Sequence, residues 1–250
     1  MELLKRHSVA AIAIFNMCTL LASFNPGISL TIGFNRDERV NRPSEGWKWR
    51  DNQFTPLDNV FGGTWIGVNK SGIFAALTNY DIDYTRQAYT SRGFIVQDIL
   101  SSCYDDEDVN GYILNGYLKS KKYKPFNVFI GSSNFLYRVG IDNKGEEIYE
   151  KLSAGLNISA GWGVNDQVWS QQRGKNIKNF LLSYNDVSLK VMAKVMALHD
   201  DGTEDTDVCV HDPKTTHVTV SSGLIRIANE IEVYSLVGHP CENQYKKELY

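Results

Sequence analysis

The sequence lacks the features that mark several large classes of protein. Its 26 basic and 29 acidic residues leave a net charge of −3, so no excess of positive charge favours nucleic acid or an anionic membrane. Four widely spaced cysteines include no Cys-x-x-Cys pair, which argues against a disulfide scaffold or a zinc cluster. No apolar run approaches the roughly 20 residues that span a bilayer. We therefore expect a globular protein that acts on or carries a small molecule, with no nucleic-acid partner and no stable membrane insertion.

The first 16 residues allow two interpretations. Lys5 and Arg6 precede a short apolar run at 9–15, which is the pattern of a brief signal peptide. Alternatively, Met17 is the true start and residues 1–16 are an upstream extension. The residues by themselves leave both open.

The remaining chain has the pattern of an α+β protein. Two β-hairpins are predicted at 18–34 and 65–79, separated by a polar ordered loop at 35–56 that contains two tryptophans. Apolar residues at helical spacing predict helices at 92–103, 106–118, 169–184 and 189–196. Further strands are predicted at 126–131, 134–140, 146–152, 155–160, 207–211, 215–220 and 224–236. This order of elements favours one domain, 17–250, in which helices cover antiparallel sheets.

Residues that could support chemistry are concentrated early in the chain. Asn-Arg-Asp-Glu at 35–38 follows an apolar strand, so these side chains either enter a site at the sheet edge or form a solvated exit from the strand. Asn79 also ends a strand and is either an oxyanion donor or a turn former. Asn165 precedes a helix, where N-capping is the simpler interpretation.

Other common catalytic arrangements are absent from the sequence. No Gly-x-Ser-x-Gly motif is present, so a Ser–His–Asp hydrolase is unsupported. The five histidines are scattered, and the grouping of Cys209, His211 and His217 is a weak indication of a metal. We expect no metal site and no cofactor.

A set of motifs, taken together, resembles the NRDE family, which is the family of the transport and Golgi organisation 2 protein. The motifs occur in family order: Met-Cys-Thr-Leu-Leu at 17–21, Gly-Phe-Asn-Arg-Asp-Glu at 33–38, Arg-Pro-Ser at 42–44, Gly-Gly-Thr-Trp-Ile-Gly at 62–67, Ala-Leu-Thr-Asn-Tyr at 76–80 and Ser-Arg-Gly at 91–93. The resemblance implies a start at Met17, which favours an extension at 1–16. Removal of Met17 would then make Cys18 the first residue.

The family is similar to N-terminal nucleophile hydrolases, which implies an αββα sandwich of two antiparallel sheets covered by helices. Cys18 would be the nucleophile, and its own α-amine, with a pKa of roughly 7.7–8.0, would be the base. By the same resemblance Asp37 would hold the amine, Arg36 would favour the thiolate, and Asn79 and Asn165 would bind the oxyanion or orient the amine. The expected substrate is a small amide or N-acyl compound, contacted by Asn35, Glu38 and Trp65.

Two features depart from this scheme. Arg36 and Asp37 are neighbours and would face opposite sides of a regular strand, so both can serve one site only if the strand ends or bulges near Phe34. Related hydrolases also supply an arginine late in the chain, whereas 206–209 reads Thr-Asp-Val-Cys.

A non-catalytic carrier of haem, lipid or acyl-CoA is the alternative function that the family's eukaryotic members imply. A cytoplasmic location is expected, with mitochondria or secretion as alternatives if residues 1–16 direct targeting.

Overall fold

A computed structural model describes residues 18–79, 90–115, 123–160, 163–200, 206–211, 217–248 and 250. Within these residues the strands are β1 Thr19–Asn25, β2 Ser29–Arg39, β3 Ser44–Arg50, β4 Gln53–Asp58, β5 Ile66–Asn69, β6 Phe74–Asn79, β7 Phe126–Gly131, β8 Leu136–Ile141, β9 Glu147–Lys151, β10 Gly155–Ala160, β11 Gly163–Val164, β12 His217–Ile227, β13 Ile231–Val237 and β14 Lys246–Lys247. The helices are α1 Gly93–Ser102, α2 Asp106–Leu114, α3 Asp166–Trp169, α4 Gln172–Leu181 and α5 Leu189–Met196.

The strands form two antiparallel sheets. The first sheet has the order β11-β10-β1-β2-β12-β13-β14, and the second has the order β3-β4-β5-β6-β7-β8-β9. The long strands β2 and β12 pair along most of their length at the centre of the first sheet. A register shift between Thr219 and Ser221 in β12 interrupts this pairing opposite Asp37 and Arg36. The irregularity therefore lies at the polar end of β2.

The two sheets pack face to face, and helices cover their outer faces. One apolar cluster fills the space between the sheets and includes Leu20, Phe34 and Phe74. A second cluster joins α1 and α2 to the second sheet, and a third joins α3, α4 and α5 to the first. Because both faces of each sheet are covered, central strands such as β7 are buried at every position. The order of layers is helix, sheet, sheet, helix, as expected.

Short helices depend on capping and on tertiary packing, since isolated helices of this length are marginal in water. The side chain of Asp105 accepts a hydrogen bond of 2.9 Å from the Asp108 amide and so caps α2. Ser188 accepts from the Val191 amide at the start of α5 in the same way.

Among the described residues, no helix combines the length and the apolar character needed to cross a bilayer.

Most predicted elements are found, and three predictions were wrong. The stretch 35–56 is not a loop: β2 continues to Arg39, and β3 and β4 form a hairpin beyond it. Residues 207–211 are not a strand but an irregular buried segment. The strands predicted separately at 215–220 and at the start of 224–236 are one continuous strand, β12, and the predicted break near Asn229 is the turn to β13.

Candidate active site

Cys18 lies immediately before β1 and faces a cavity of about 410 Å³. β1 pairs with β2 so that Thr19 is opposite Asn35, which places Cys18 opposite Arg36. The cavity lies at one end of the sandwich, where Trp65 and Asn79 of the second sheet approach Cys18 and Arg36 of the first. Cys18 is 8% exposed, and its thiol donates a weak hydrogen bond of 4.0 Å to the main-chain oxygen of Asp37.

The environment of Cys18 disfavours its thiolate while the residue is linked to Met17. Burial raises the thiol pKa to about 12, and the Asp37 carboxylate adds to the increase. Arg36 acts in the opposite direction but is outweighed. At pH 7 the thiolate fraction is then on the order of 10⁻⁵, whereas a reactive cysteine has a pKa of roughly 3.5–7.5. The thiol needs an additional base or cation to react.

Arg36 is the buried cation of the cavity. Its guanidinium carbon lies 4.0 Å from the centre of the Trp65 ring, and its Nη2 lies 3.2 Å from Oδ2 of Asp58. Burial lowers the pKa of Arg36, although the neighbouring acids favour its charged form. Its Nη1 is buried and has no hydrogen-bond partner within the described residues. This donor therefore has unused hydrogen-bonding capacity beside the cavity.

A network of ion pairs fixes Arg36 in place. Arg42 donates to Asp58 Oδ2 at 2.7–2.8 Å and to Glu38 Oε2 at 2.9 Å. The other oxygen of Asp58 accepts from the amides of Val60 and Phe61. Because Asp58 is held by the end of β4 and by this turn, it positions the guanidinium of Arg36 against Trp65.

Asp37 is also among the residues that line the cavity, and its carboxylate bonds to β12. Oδ1 of Asp37 accepts a 2.6 Å hydrogen bond from the Thr219 hydroxyl, while Oδ2 is buried with no hydrogen-bond partner in the described part of the chain. Burial raises the pKa of this carboxyl to about 7, against the opposing effects of Arg173 and Thr219. The end of β2 thus brings both Arg36 and Asp37 to the cavity beside Cys18.

Arg173 is a buried charged residue that sequence reasoning missed. It lies on the inner face of α4, is 4% exposed, and donates to the Thr19 hydroxyl at 2.8 Å. Its charge acts on Asp37, although it lies earlier in the chain than the late arginine that the resemblance led us to seek. A signal for it is present in the sequence: Arg173, Ile177 and Leu181 recur every four residues, so the arginine occupies an apolar helix face.

The other predicted site residues separate into two groups. Glu38, Trp65 and Asn79 line the cavity together with Cys18 and Arg36. Asn35 does not, and its prediction as a substrate contact was wrong. It is fully buried, it donates to the main-chain oxygens of Met196 and Val208, and it accepts from Ser222. The interpretation of 35–38 as a solvated exit was also wrong, because Asn35, Arg36 and Asp37 are all buried.

Asn165 is outside the set of residues that line the cavity. Its Oδ1 accepts from the Ile158 amide at 2.9 Å, and its Nδ2 donates to Asn157 at 3.2 Å. It precedes α3 without a side-chain capping bond, so the N-cap interpretation was wrong. Its φ of 46° is in the left-handed region, which asparagine tolerates better than most residues. In the described structure Asn165 fixes the turn between β10 and α3.

A sequence model described as Transport and Golgi organisation 2 matches residues 17–235. The chain belongs to the transport and Golgi organisation 2 family. The mouse transport and Golgi organization 2 homolog is 31% identical over 124 residues, and the human homolog is 30% identical over the same length. Each alignment covers 45% of this chain and 44% of the relative, so the match spans less than half the length of these relatives.

Two solved structures show the fold of this family member. The Caenorhabditis elegans ortholog of N-acylethanolamine-hydrolyzing acid amidase has a TM-score of 0.54 at 12% identity, and covers 83% of this chain and 92% of its own. A variant of conjugated bile acid hydrolase from Clostridium perfringens has a TM-score of 0.50 at 10% identity, and covers 93% and 97%. Both have the N-terminal nucleophile hydrolase fold. The predicted αββα sandwich is therefore confirmed.

Proposed function

We propose that the protein is a cysteine-dependent amidohydrolase of the N-terminal nucleophile type, active when Cys18 is its first residue. One observation carries the proposal. Cys18 stands where β1 begins, in a cavity beside the guanidinium of Arg36, and the buried Asp37 lines the same cavity. An α-ammonium at Cys18 would supply a hydrogen-bond donor to a carboxylate oxygen that has none among the described residues.

The α-amine would also supply the base that a thiol with a high pKa needs. An α-amine titrates at roughly 7.7–8.0, so near neutral pH part of it is free to take the thiol proton. The sulfur then attacks the amide carbonyl carbon, and the ammonium returns its proton to the leaving amine. The resulting thioester is hydrolysed by a water molecule that gives one proton to the α-amine. The products are a carboxylic acid, an amine and the original thiol.

The side chains around Cys18 have separate tasks in this scheme. Arg36 offers Nη1 to the oxyanion, and Asn79 lines the same cavity as a second candidate donor. Asp37 and Arg173 orient the α-amine. These two are positioning residues, since neither guanidinium nor carboxylate of that pair needs to touch the substrate.

The cavity lining favours a substrate with an apolar acyl part and a negative charge. Trp65, Phe61 and Leu77 provide the apolar surface, while Arg42, Arg92 and Lys124 provide basic groups near the opening. A volume of about 410 Å³ is in the range of sites for small ligands. We therefore expect a short N-acyl amino acid or a similar amide with a carboxylate.

The test is turnover of a panel of N-acyl amides by protein that begins at Cys18. Cys18→Ala should abolish turnover, while Cys103→Ser, which changes a buried cysteine beside α1, should retain it. Intact mass after rapid quenching should show one acyl group on the parent protein and none on Cys18→Ala. Absence of turnover across the panel, or acylation that persists in Cys18→Ala, would refute the proposal.

The alternative is a carrier of haem, lipid or acyl-CoA, and the basic lining residues favour it. Arg92 and Lys124 line the cavity and offer positive charge to propionates or phosphates. Cys18 is the residue in the lining that suits haem iron, yet a thiol pKa of about 12 leaves little thiolate for such a bond. The carrier function predicts saturable binding of haemin or an acyl-CoA by Cys18→Ala without turnover.

We propose the cytoplasm as the compartment, where thiols such as these stay reduced.

A further inference from the structure

Two histidines and two cysteines that are far apart in the sequence meet behind the first sheet. His199 follows α5, Cys209 and His211 lie in the buried segment 206–211, and Cys241 lies in the turn after β13. The ligand atoms of His199, His211 and Cys241 all lie within 4.8 Å of one another. Sγ of Cys209 lies 3.4 Å from Sγ of Cys241, which in turn is 3.3 Å from Nε2 of His211.

Two of these distances are close to the edges of a tetrahedral metal site. With Zn–S bonds of about 2.3 Å and Zn–N bonds of about 2.0–2.1 Å, the edges of the tetrahedron are roughly 3.3–3.8 Å long. The two measured edges at Cys241 are at the lower end of this range. A pair of thiolates with a pair of imidazoles is also the donor set that suits Zn²⁺.

The outer nitrogens of both imidazoles already have acidic neighbours. Nδ1 of His199 lies 3.4 Å from Oδ2 of Asp207, and Nδ1 of His211 lies 4.0 Å from Oε1 of Glu242. A carboxylate near Nδ1, as Asp207 is to His199, leaves Nε2 as the ligand, which is the usual outer shell of a zinc-bound histidine. The rings of His199 and His211 are stacked with centroids 3.9 Å apart.

A third imidazole lies beside the cluster. The ring of His239 stacks on His211 with centroids 4.5 Å apart. Its Nδ1 is buried and has no hydrogen-bond partner among the residues the structure describes. His239 is outside the set of four ligand residues.

We propose that His199, Cys209, His211 and Cys241 form a structural Zn²⁺ site. The site would tie the end of α5 and the segment 206–211 to the turn after β13. On binding, each thiol releases one proton to solvent and the two thiolates and two neutral imidazoles donate to one Zn²⁺, with no change of oxidation state. The proposal is independent of catalysis by Cys18.

The experiment uses the full chain, stripped of metal, and titrates it with Zn²⁺ and with Co²⁺ as a spectroscopic probe. We expect one Zn²⁺ per chain and a thiolate-to-cobalt charge-transfer band. Cys241→Ser and His211→Ala should each weaken Zn²⁺ binding by about 100-fold or more, and Asp207→Asn by about 10–100-fold. Cys103→Ser and His217→Ala are the matched controls and should bind like the parent.

The thermal midpoint of the parent protein provides a measurement that needs no variant. A ligand that binds only the folded state raises this midpoint, so Zn²⁺ should raise it and a chelator should reverse the change. No saturable binding, no rise in midpoint, or equal binding by Cys241→Ser would overturn the proposal. A fresh preparation lighter by two hydrogens, which indicates a Cys209–Cys241 disulfide, would overturn it too.

Discussion

In the full chain, ionisation of the buried Asp37 carboxyl should lower the free energy of unfolding as the pH rises. Asp37→Asn should remove this loss of stability. Asparagine keeps an oxygen that accepts from Thr219 and has nearly the same volume, but it carries no charge. The pKa of Asp37 is about 7 in the folded chain, whereas an exposed aspartate titrates at roughly 3.9. The folded state therefore holds the proton to higher pH than the unfolded state does.

The sign and the size of the effect follow from this difference. A raised acid pKa gives stability that is present below pH 4 and is lost as the pH rises to about 7. At about 1.4 kcal/mol per pH unit, the total is on the order of 4 kcal/mol. Roughly 2–3 kcal/mol of it falls between pH 5 and pH 8. Asp37 is buried, so solvent screens little of this amount.

Urea unfolding at pH 5, 6, 7 and 8 measures the effect. The free energy of unfolding of the parent should fall relative to Asp37→Asn by about 2–3 kcal/mol across this range. Asp186→Asn controls for the loss of one exposed carboxylate. Parallel pH profiles for the parent and Asp37→Asn, or a parent that gains stability toward pH 8, would refute the reasoning. In protein that begins at Cys18, the nearby α-ammonium should reduce the pH dependence of the free energy of unfolding. In the same form, Asp37→Asn should lose turnover of the amide substrate.

Substitutions at four further positions test the site and the fold. Arg36→Leu should lower kcat/KM for an N-acyl amide by about 10²–10³-fold, with Arg36→Lys intermediate; equal rates would exclude Arg36 as an oxyanion donor. Gly140→Ala should lower the free energy of unfolding by about 1–3 kcal/mol in urea, because a Cβ there would lie 2.1 Å from a main-chain oxygen. Gly111→Ala in α2 is the comparison: a Cβ there meets open space, so this change should raise the free energy of unfolding by about 0.5–1 kcal/mol. Asn35→Ala should cost about 2–4 kcal/mol, because two buried main-chain oxygens lose their donor; a loss below 1 kcal/mol would contradict the structural role given to Asn35.

Local patterns in the sequence predict much of the fold. The hairpin of β1 and β2 follows from two apolar runs around an Asn-Pro-Gly turn, and α5 follows from Leu189, Met192 and Met196 on one face. The strand β3 is different, because its positions are mostly exposed or half-buried and give no apolar alternation. Its strand character comes from pairing with β4, which is a tertiary effect that local pattern does not contain.

The candidate site could be predicted only in part, for similar reasons. Cys18, Arg36 and Asp37 are found from their motifs, and all three line the cavity. Asn35 was misassigned because its partners, Met196 and Val208, are more than 160 residues away along the chain. The histidines and cysteines near Cys241 look scattered for the same reason, since only the fold brings them together.

The most direct test compares turnover of one N-acyl amide by two forms of the protein, with the first residue of each established by intact mass. One form begins at Met1 and keeps Cys18 in a peptide bond, and the other begins at Cys18 with a free α-amine. The account predicts turnover and a Cys18 thioester only in the second form, because the first has a thiol pKa of about 12 and no α-amine as base. Equal turnover by both forms would contradict it.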